Sequence, residues 1–457
     1  MRKSEPRKTK TKLLAVAALV SLFLALAATL FAQDITAWIN GAGGKPALAV
    51  IDFRGSGSQP YMAAFNSTLF SDLQGSGLFD MKPKSMFPLN NPQRPEDLKA
   101  EDGGQGFALS DWGGAPVNAS HLVFGYTAAQ NGALVLYGNV DDTRQRNPQA
   151  AQLMSSRYVG SLDEMGAVHV AHEFANDIIQ KFGGSGSLLG SRIYFVRSSG
   201  ARGEIKEIWA MDWDGGNQTQ LTKYRSLSLT PAVSPDGSRL AFTSYAKGSP
   251  RIMLLDTLSG RPLSFYNQEA SLNATPDFSP DGRQIYYAST AGGVAQIYVA
   301  ALDGQGFRRV TRTDNISVEP KVNPKNPGLM LFVGGQSHPQ IYRMSTNGTG
   351  VERVTNGAGE ATNPAWNQDG EHFAFSWTSG IAAGNWNLFV MDIGTHEYIQ
   401  LTKGEGRNEN PGWAPDSRHL VFASTRSGKS QIYTMLANGT QLKQLTSQGD
   451  NSSPVWG

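Results

Sequence analysis

Pro231-Ala-Val-Ser-Pro-Asp-Gly237 decides the fold of this chain, because the same phrase keeps returning. It recurs as Pro276-Asp-Phe-Ser-Pro-Asp-Gly282, Pro320-Lys-Val-Asn-Pro-Lys-Asn326, Pro364-Ala-Trp-Asn-Gln-Asp-Gly370 and Pro411-Gly-Trp-Ala-Pro-Asp-Ser417, with a shortened sixth copy, Pro454-Val-Trp-Gly457. The leading prolines stand 45, 44, 44, 47 and 43 residues apart. A fixed period of that size is the mark of a repeat architecture.

Within each repeat the turn is followed by an alternating strand, such as Arg239-Leu-Ala-Phe-Thr-Ser244 or His419-Leu-Val-Phe-Ala-Ser424. A third strand follows, as in Gln296-Ile-Tyr-Val-Ala300, and a fourth closes on Gln220-Leu-Thr222, Arg309-Val-Thr311, Arg353-Val-Thr355, Gln400-Leu-Thr402 or Gln444-Leu-Thr446. The second repeat lacks the tag and ends on Leu263-Ser-Phe-Tyr266. Proline presets φ, Asp bonds its own backbone and Gly accepts positive φ, so the repeated phrase is a tight turn. Four short strands per repeat predict a β-propeller blade. Arg192-Ile-Tyr-Phe-Val196 opens the region as a second strand without a first, and Pro454-Val-Trp456 is a first strand without a second. Joining them predicts six blades, one stitched from both ends of the region, which removes a free sheet edge.

The rest of the 457 residues divides in three. Residues 1–32 read as a secretory signal peptide: a basic opening, an apolar run from Leu13 to Leu30, and small residues that place cleavage after Ala27 or Ala32. The run approaches membrane-spanning length, so the competing reading is an uncleaved anchor; with cleavage, no integral membrane segment is expected. Six basic residues and one acidic residue of the +2 formal charge lie in this leader, which leaves 34 basic and 37 acidic residues, near −3, in the remainder. No basic patch argues for nucleic acid. The absence of cysteine excludes disulfides, thiol nucleophiles and Cys-ligated zinc.

Residues 33–182 do not repeat and predict a small α/β domain. Pro46-Ala-Leu-Ala-Val-Ile-Asp-Phe53 suits a buried strand, Tyr61 to Leu73 a helix with Met62, Phe65, Leu69, Phe70 and Leu73 roughly on one side, and Asn131-Gly132 a hairpin between strands at His121–Tyr126 and Ala133–Tyr137. Ser161-Leu-Asp-Glu164 reads as a capping box opening a helix to about Phe182. Residues 83–116, rich in Pro, Gly and acids, read as a loop, and residues 183–190 as a Gly/Ser linker to a propeller over 191–457. The overall expectation is two domains, a small N-terminal α/β domain followed by an all-β six-bladed propeller closed by the C-terminal strand.

Chemistry is sparse. His169 and His172, followed by Glu173, share a helical face but lack the His-Glu-x-x-His spacing of a zinc hydrolase, and read as surface or core histidines. Gly41-Ala-Gly-Gly-Lys-Pro46 precedes a strand where a phosphate loop must follow one. The Gly-x-Ser-x-Gly elbow of a propeller-bearing serine peptidase does not occur. Asp236, Asp281, Asp369 and Asp416 read as turn formers. No catalytic residue, cofactor or metal is expected.

Ile35-Thr-Ala-Trp-Ile39, Gly44-Lys-Pro46, Ala49-Val-Ile-Asp-Phe53, and His172-Glu-Phe-Ala-Asn-Asp-Ile-Ile-Gln-Lys-Phe182 followed by Arg192-Ile-Tyr-Phe-Val196 carry a resemblance. With the leader and the repeats, the chain resembles the TolB family, periplasmic components of the Tol-Pal envelope system. The resemblance implies a non-enzymatic scaffold. Its propeller would bind the peptidoglycan-associated lipoprotein Pal, and its mature N-terminus would bind TolA, maintaining the outer membrane and supporting its constriction at division. Two features depart from the family pattern: the longer stretch around Pro88 to Trp112, and a mature start that matches in character more than in sequence.

In a propeller, the residues just before each repeated proline arrive at the mouth of the central channel. These are Leu229 and Thr230, Ala274 and Thr275, Val318 and Glu319, Thr362 and Asn363, Glu409 and Asn410, and Ser452 and Ser453. By the resemblance they are the candidate Pal contacts; the bland alternative is that small polar residues there merely end strands. Gln33, Asp34, Ile35, Thr36, Ala37 and Trp38 are the candidate TolA contacts, expected to alternate between docking on their own domain and joining a partner's sheet edge. The rival functions are a propeller hydrolase or lyase with its site in the channel, and an envelope sensor or carbohydrate-binding propeller.

Overall fold

A computed structural model describes Ile35 and residues 44–55, 61–101, 105–184, 188, 190–200 and 203–457. The readings of residues 1–34 and 36–43 therefore fall outside the described residues.

The N-terminal domain is a mixed sheet with its two long helices on one face. Strand β1 (Ala47–Val50) runs parallel to β3 (Asp80–Met81) and β4 (His121–Gln130), and the two-residue β2 (Arg54–Gly55) also pairs with β4. Helix α1 (Met62–Gly75) lies between β2 and β3 in sequence. A single turn, α2 (Ser110–Gly113), precedes β4. The strand β5 (Ala133–Asp142) pairs antiparallel with β4 through the Asn131-Gly132 turn, whose φ values of 51° and 77° are those of a tight primed hairpin. After the short α3 (Pro148–Ala151), strand β6 (Gln152–Ser161) completes the sheet on the far side of β5.

Helix α4 (Glu164–Lys181) packs with α1 on one sheet face through Phe65, Leu69, Leu73, Val170, Phe174 and Ile178. The cap differs from the sequence reading. Asp163, not Ser161, is the N-cap: its side chain accepts the Gly166 N–H at 2.7 Å, and the Ser161 hydroxyl donates to Asp163 at 2.7 Å. The helix thus begins two residues later than a Ser161 cap requires.

The described residues between Pro83 and Ser120 make no loose excursion. Leu98, Leu109, Trp112 and Val117 fold down on the other sheet face against Ile51, Leu122 and Phe124. They form a flap that gives the domain a second core.

The propeller follows. β7 (Arg192–Ser199), β8 (Ile205–Asp212) and β9 (Thr219–Gln220) make blade 1 together with the C-terminal strand Asp450–Trp456, which is its innermost strand. Blades 2 to 6 begin at Ser228, Asn273, Ser317, Ala361 and Asn408, each a four-stranded antiparallel sheet in chain order. The closure expected from the sequence is present: Trp456 pairs with Ile193, Val455 with Tyr194, and Arg192 and Gly457 exchange backbone bonds of 2.7 and 2.9 Å.

The closing Thr of each tag has a defined task. The Oγ1 atoms of Thr222, Thr311, Thr355, Thr402 and Thr446 accept the N–H of Ile208, Ile297, Ile341, Leu388 and Ile432, at 2.8 to 3.0 Å. These groups are buried, and an unmet N–H there is costly. In blade 2, which lacks the tag, Asn267 Oδ1 does the same for Ile252 at 2.8 Å, one residue further along the chain. Trp366 and Trp413 donate from Nε1 to the backbone carbonyls of Lys321 and Ala365, stitching each blade to its predecessor.

The candidate functional site

The repeated turns behave as read. In blade 2 the Ser234 hydroxyl and the Ser238 N–H both donate to Asp236, and these bonds lower its carboxyl to about 2. Asp281 bonds Ser279 and the Arg283 N–H in the same way. In blades 5 and 6 a histidine joins the turn: His372 Nδ1 lies 2.8 Å from Asp369, and His419 Nδ1 lies 2.6 Å from Asp416. Burial would raise both carboxyls, but the histidine and backbone bonds prevail and lower them. The Asp-x-x-His spacing is visible in the sequence and is the signal that could have revealed these pairs.

Inside the ring lies an axial cavity of about 1320 Å³. Thr230, Thr275, Glu319, Asn363, Asn410 and Ser453, each immediately before a repeated proline, all line it. Leu229, Ala274, Val318, Thr362, Glu409 and Ser452 do not. They pair instead with the adjacent strand of their blade, for example Leu229 with Thr243 and Ala274 with Ala288. The structure thus gathers one residue of each pair around the axis and turns the other into the sheet.

A backbone feature underlies that division. All six lining residues have φ between 47° and 55°. Each sits where the inner strand's register slips by a bulge. Left-handed φ is costly for a non-glycine residue, at roughly 1–3 kcal/mol, and persists only where the surroundings fix it. At four of the six, hydrogen bonds to the preceding blade fix it. The N–H of Thr275 donates to Thr243 Oγ1 at 3.0 Å, that of Glu319 to Thr275 Oγ1 at 3.2 Å, that of Asn363 to Glu319 at 2.8 Å, and that of Asn410 to Ser376 Oγ at 3.1 Å.

Of the six ring residues only Glu319 is charged, with Asp277 and Lys321 beside it in blades 3 and 4; Lys45, Lys325, Asp369, Asp416 and Arg418 carry charge elsewhere on the lining. Desolvation raises the carboxyl of Glu319, against the bonds from Asn363. Desolvation likewise raises Asp277, opposed by Lys321 at 2.9 Å. The other five ring positions are uncharged Thr, Asn and Ser, so most of the ring itself offers hydrogen bonds without a fixed charge. The Thr230 hydroxyl meets the Thr243 hydroxyl at 2.8 Å, not a general base. Among the described residues no cluster of three His, Cys, Asp or Glu could hold a metal, and His172 is bonded to Asp72 at 2.5 Å, tying α4 to α1.

The N-terminal domain covers the face that carries the repeated turns. Gly44, Lys45, Pro46, Gly77, Leu78 and Gly183 extend the cavity lining from outside the ring. Gly77, at φ 68°, lies so close to blade 6 that a Cβ there would sit 2.5 Å from Leu436 Cδ1. Of the six candidate residues at the mature start, Gln33, Asp34, Thr36, Ala37 and Trp38 lie outside the described residues. Ile35 is 4% exposed and packs between blades 5 and 6 against Leu388, Trp413 and Phe422. Docking on its own α/β domain, as the sequence suggested, is not what Ile35 does; the apolar seam between two blades takes it.

Ring, cavity and covering domain define a two-domain propeller protein. A family model described as the TolB beta propeller domain matches residues 179–381 and 352–457. The "Protein TolB homolog" of Chlorobium luteolum is 31% identical over 404 residues, covering 88% of this chain and 87% of its own length. The "Tol-Pal system protein TolB" of Jannaschia sp. is 29% identical over 211 residues, 45% of this chain and 44% of that protein. The crystal structure of TolB from Acinetobacter baumannii superposes with a TM-score of 0.71 over 91% of this chain and 97% of that one, at 21% identity, which speaks for the fold. The chain belongs to the TolB family. Among the described residues no helix is long and apolar enough to cross a membrane.

Proposed function

We propose that this chain is a non-enzymatic, periplasmic binding scaffold of the Tol-Pal system, with domains at 33–182 and 191–457. Its propeller cavity receives Pal, and its mature N-terminus, Gln33 to Trp38, receives TolA. Through the two it helps maintain the outer membrane and its constriction at division. The observation that carries the reading is the ring of six left-handed residues around one cavity. It presents polar groups in a fixed geometry to a protein segment entering along the axis, and no activated nucleophile accompanies them among the described residues. Support also comes from relatives named as Tol-Pal system proteins. Ile35, buried between two blades, links the proposed TolA segment to the propeller. Binding at the cavity shifts the state of that segment if its affinity differs between the docked and released forms. Affinity capture from a solubilised envelope of the host tests this: Pal and TolA should be recovered with the chain, and recovery of neither would overturn the reading.

A further inference from the structure

The sheet face opposite α1 and α4 carries a second surface, which the propeller reading does not use. Direct pairing places Arg54, Tyr126, Tyr137 and Arg157 in one row across β2, β4, β5 and β6. Residues so paired project from the same face. Their neighbours Gly125 and Gly138 lie against Phe53 and Phe174 in the helix-covered core, so the row stands on the other side. The two tyrosine rings stack with centroids 4.9 Å apart and planes 17° from parallel. The flap adds Arg94, whose guanidinium lies over Tyr126 at 4.6 Å, and Gln130 Nε2 donates to the Tyr137 hydroxyl at 3.1 Å.

Arg54, Arg94 and Arg157 are exposed, and none joins an ion pair among the described residues. The nearby carboxylates are taken: Asp52 by Lys84, and Asp97 by the backbone N–H groups of Gln93 and Arg94 at 2.8 and 2.9 Å. Glu96, beside Arg94, is exposed and joins no ion pair among the described residues. The row ends at β6, the last strand of the sheet, which pairs with β5 alone. An open strand edge attracts a further strand, and proteins usually guard one with several charges or a proline. The ten residues of β6 hold one charge, Arg157, and no proline. Val159 beside it is 48% exposed.

We infer that this edge and its arginine–tyrosine row form a docking site for an extended acidic segment of a partner protein, which adds as a strand beside β6. Charge complementarity selects the partner: guanidinium groups on one face that no carboxylate holds call for carboxylates. Strand periodicity then places alternate side chains of the incoming segment on the face of Ser155, Arg157 and Val159, so its carboxylates meet Arg157 while its apolar side chains take the opposite face. None of these residues lines the axial cavity, so the two surfaces are separate.

The test is fluorescence anisotropy of the full chain with a labelled peptide of alternating valine and glutamate, about ten residues long to match β6. The expected result is saturable binding that weakens with salt, falls about tenfold in the double variant Arg94→Glu/Arg157→Glu, and is lost when alternate peptide nitrogens are methylated. Arg157→Gln alone, a milder surface change, should give a smaller loss in the same direction. Equal binding of a valine–lysine peptide, no binding at all, or indifference to both variants would overturn the proposal. Undiminished binding of the methylated peptide would overturn strand addition, and preferential binding of the polyanion heparin at the same arginines would overturn the assignment to protein.

Discussion

Truncation after Ser453 removes Pro454-Val-Trp-Gly457, the half of the innermost strand that closes the ring. Trp456 is 7% exposed and packs with Ile193, Phe195, Met211 and Val421, joining blades 1 and 6. Its indole donates to Ser191 Oγ at 2.8 Å. Loss of a buried Trp side chain costs about 3–5 kcal/mol. The two backbone bonds between Arg192 and Gly457 add about 1 kcal/mol each. The total, about 5–7 kcal/mol, rivals the whole stability of an ordinary domain. At roughly 2–4 °C per kcal/mol, the melting temperature should fall by about 10 °C or more. The newly bare edge of β7 should also promote aggregation. Scanning calorimetry with light scattering on the full chain, the truncation and Trp456→Ala reads both effects, with the point variant falling between. A truncated protein that melts within about 1 °C of the full chain, with no added scattering, would refute the closure argument.

Burial alone lifts the Asp141 carboxyl from 3.8 to about 7. Because the folded value is the higher, its contribution is fully present below pH 3.8 and is lost as pH rises through about 7, up to roughly 4 kcal/mol. Asp141→Asn should therefore flatten the urea midpoint between pH 5 and 8 and stabilise the protein at the upper end; parallel profiles for the two proteins would contradict this. Thr311→Val strands the Ile297 N–H and should cost about 1–3 kcal/mol in denaturant unfolding; no loss would mean another group takes the bond. Gly77→Val combines a disfavoured φ with a collision at Leu436, so limited proteolysis should cut between the domains faster than in the parent, and an unchanged rate would show that the seam yields. Deleting Gln33 to Ile39 should abolish TolA binding in a pull-down while leaving Pal affinity within about tenfold, roughly 1.4 kcal/mol; retained TolA binding would make this segment purely structural.

The propeller was legible because its signals are local. Pro, Asp and Gly set each turn within a few residues, and the 3D ring only repeats them. The Asn131-Gly132 hairpin and the helix bearing Phe65, Leu69 and Leu73 were legible for the same reason. Strand β6 was not, since Ser155-Ser156 and Gly160 blur its alternation and only pairing with β5 defines it. The flap read as a loop because its apolar residues, Leu98, Leu109, Trp112 and Val117, follow no single period and meet only on the sheet. At the candidate site the sequence named twelve residues before the prolines but could not divide them. A residue before proline is ordinarily extended; the left-handed turn at Thr230 and its five counterparts arises at bulges, and at Thr275, Glu319, Asn363 and Asn410 bonds to the preceding blade hold it. The burial of Ile35 between blades 5 and 6 joins residues more than 300 positions apart, beyond any local pattern.

The central claim is that the ring around the axial cavity receives the lipoprotein. Thr230→Arg with Thr275→Arg places two bulky cations on that wall. Because threonine already holds the left-handed φ there, arginine adds no backbone penalty, although the Thr230–Thr243 bond is lost. Burying an unpaired charge in a complex is costly. Isothermal titration of the soluble domain of Pal into the folded parent and double variant decides the matter: the account predicts a complex with the parent that is weakened at least about tenfold in the variant, and equal affinities would contradict it.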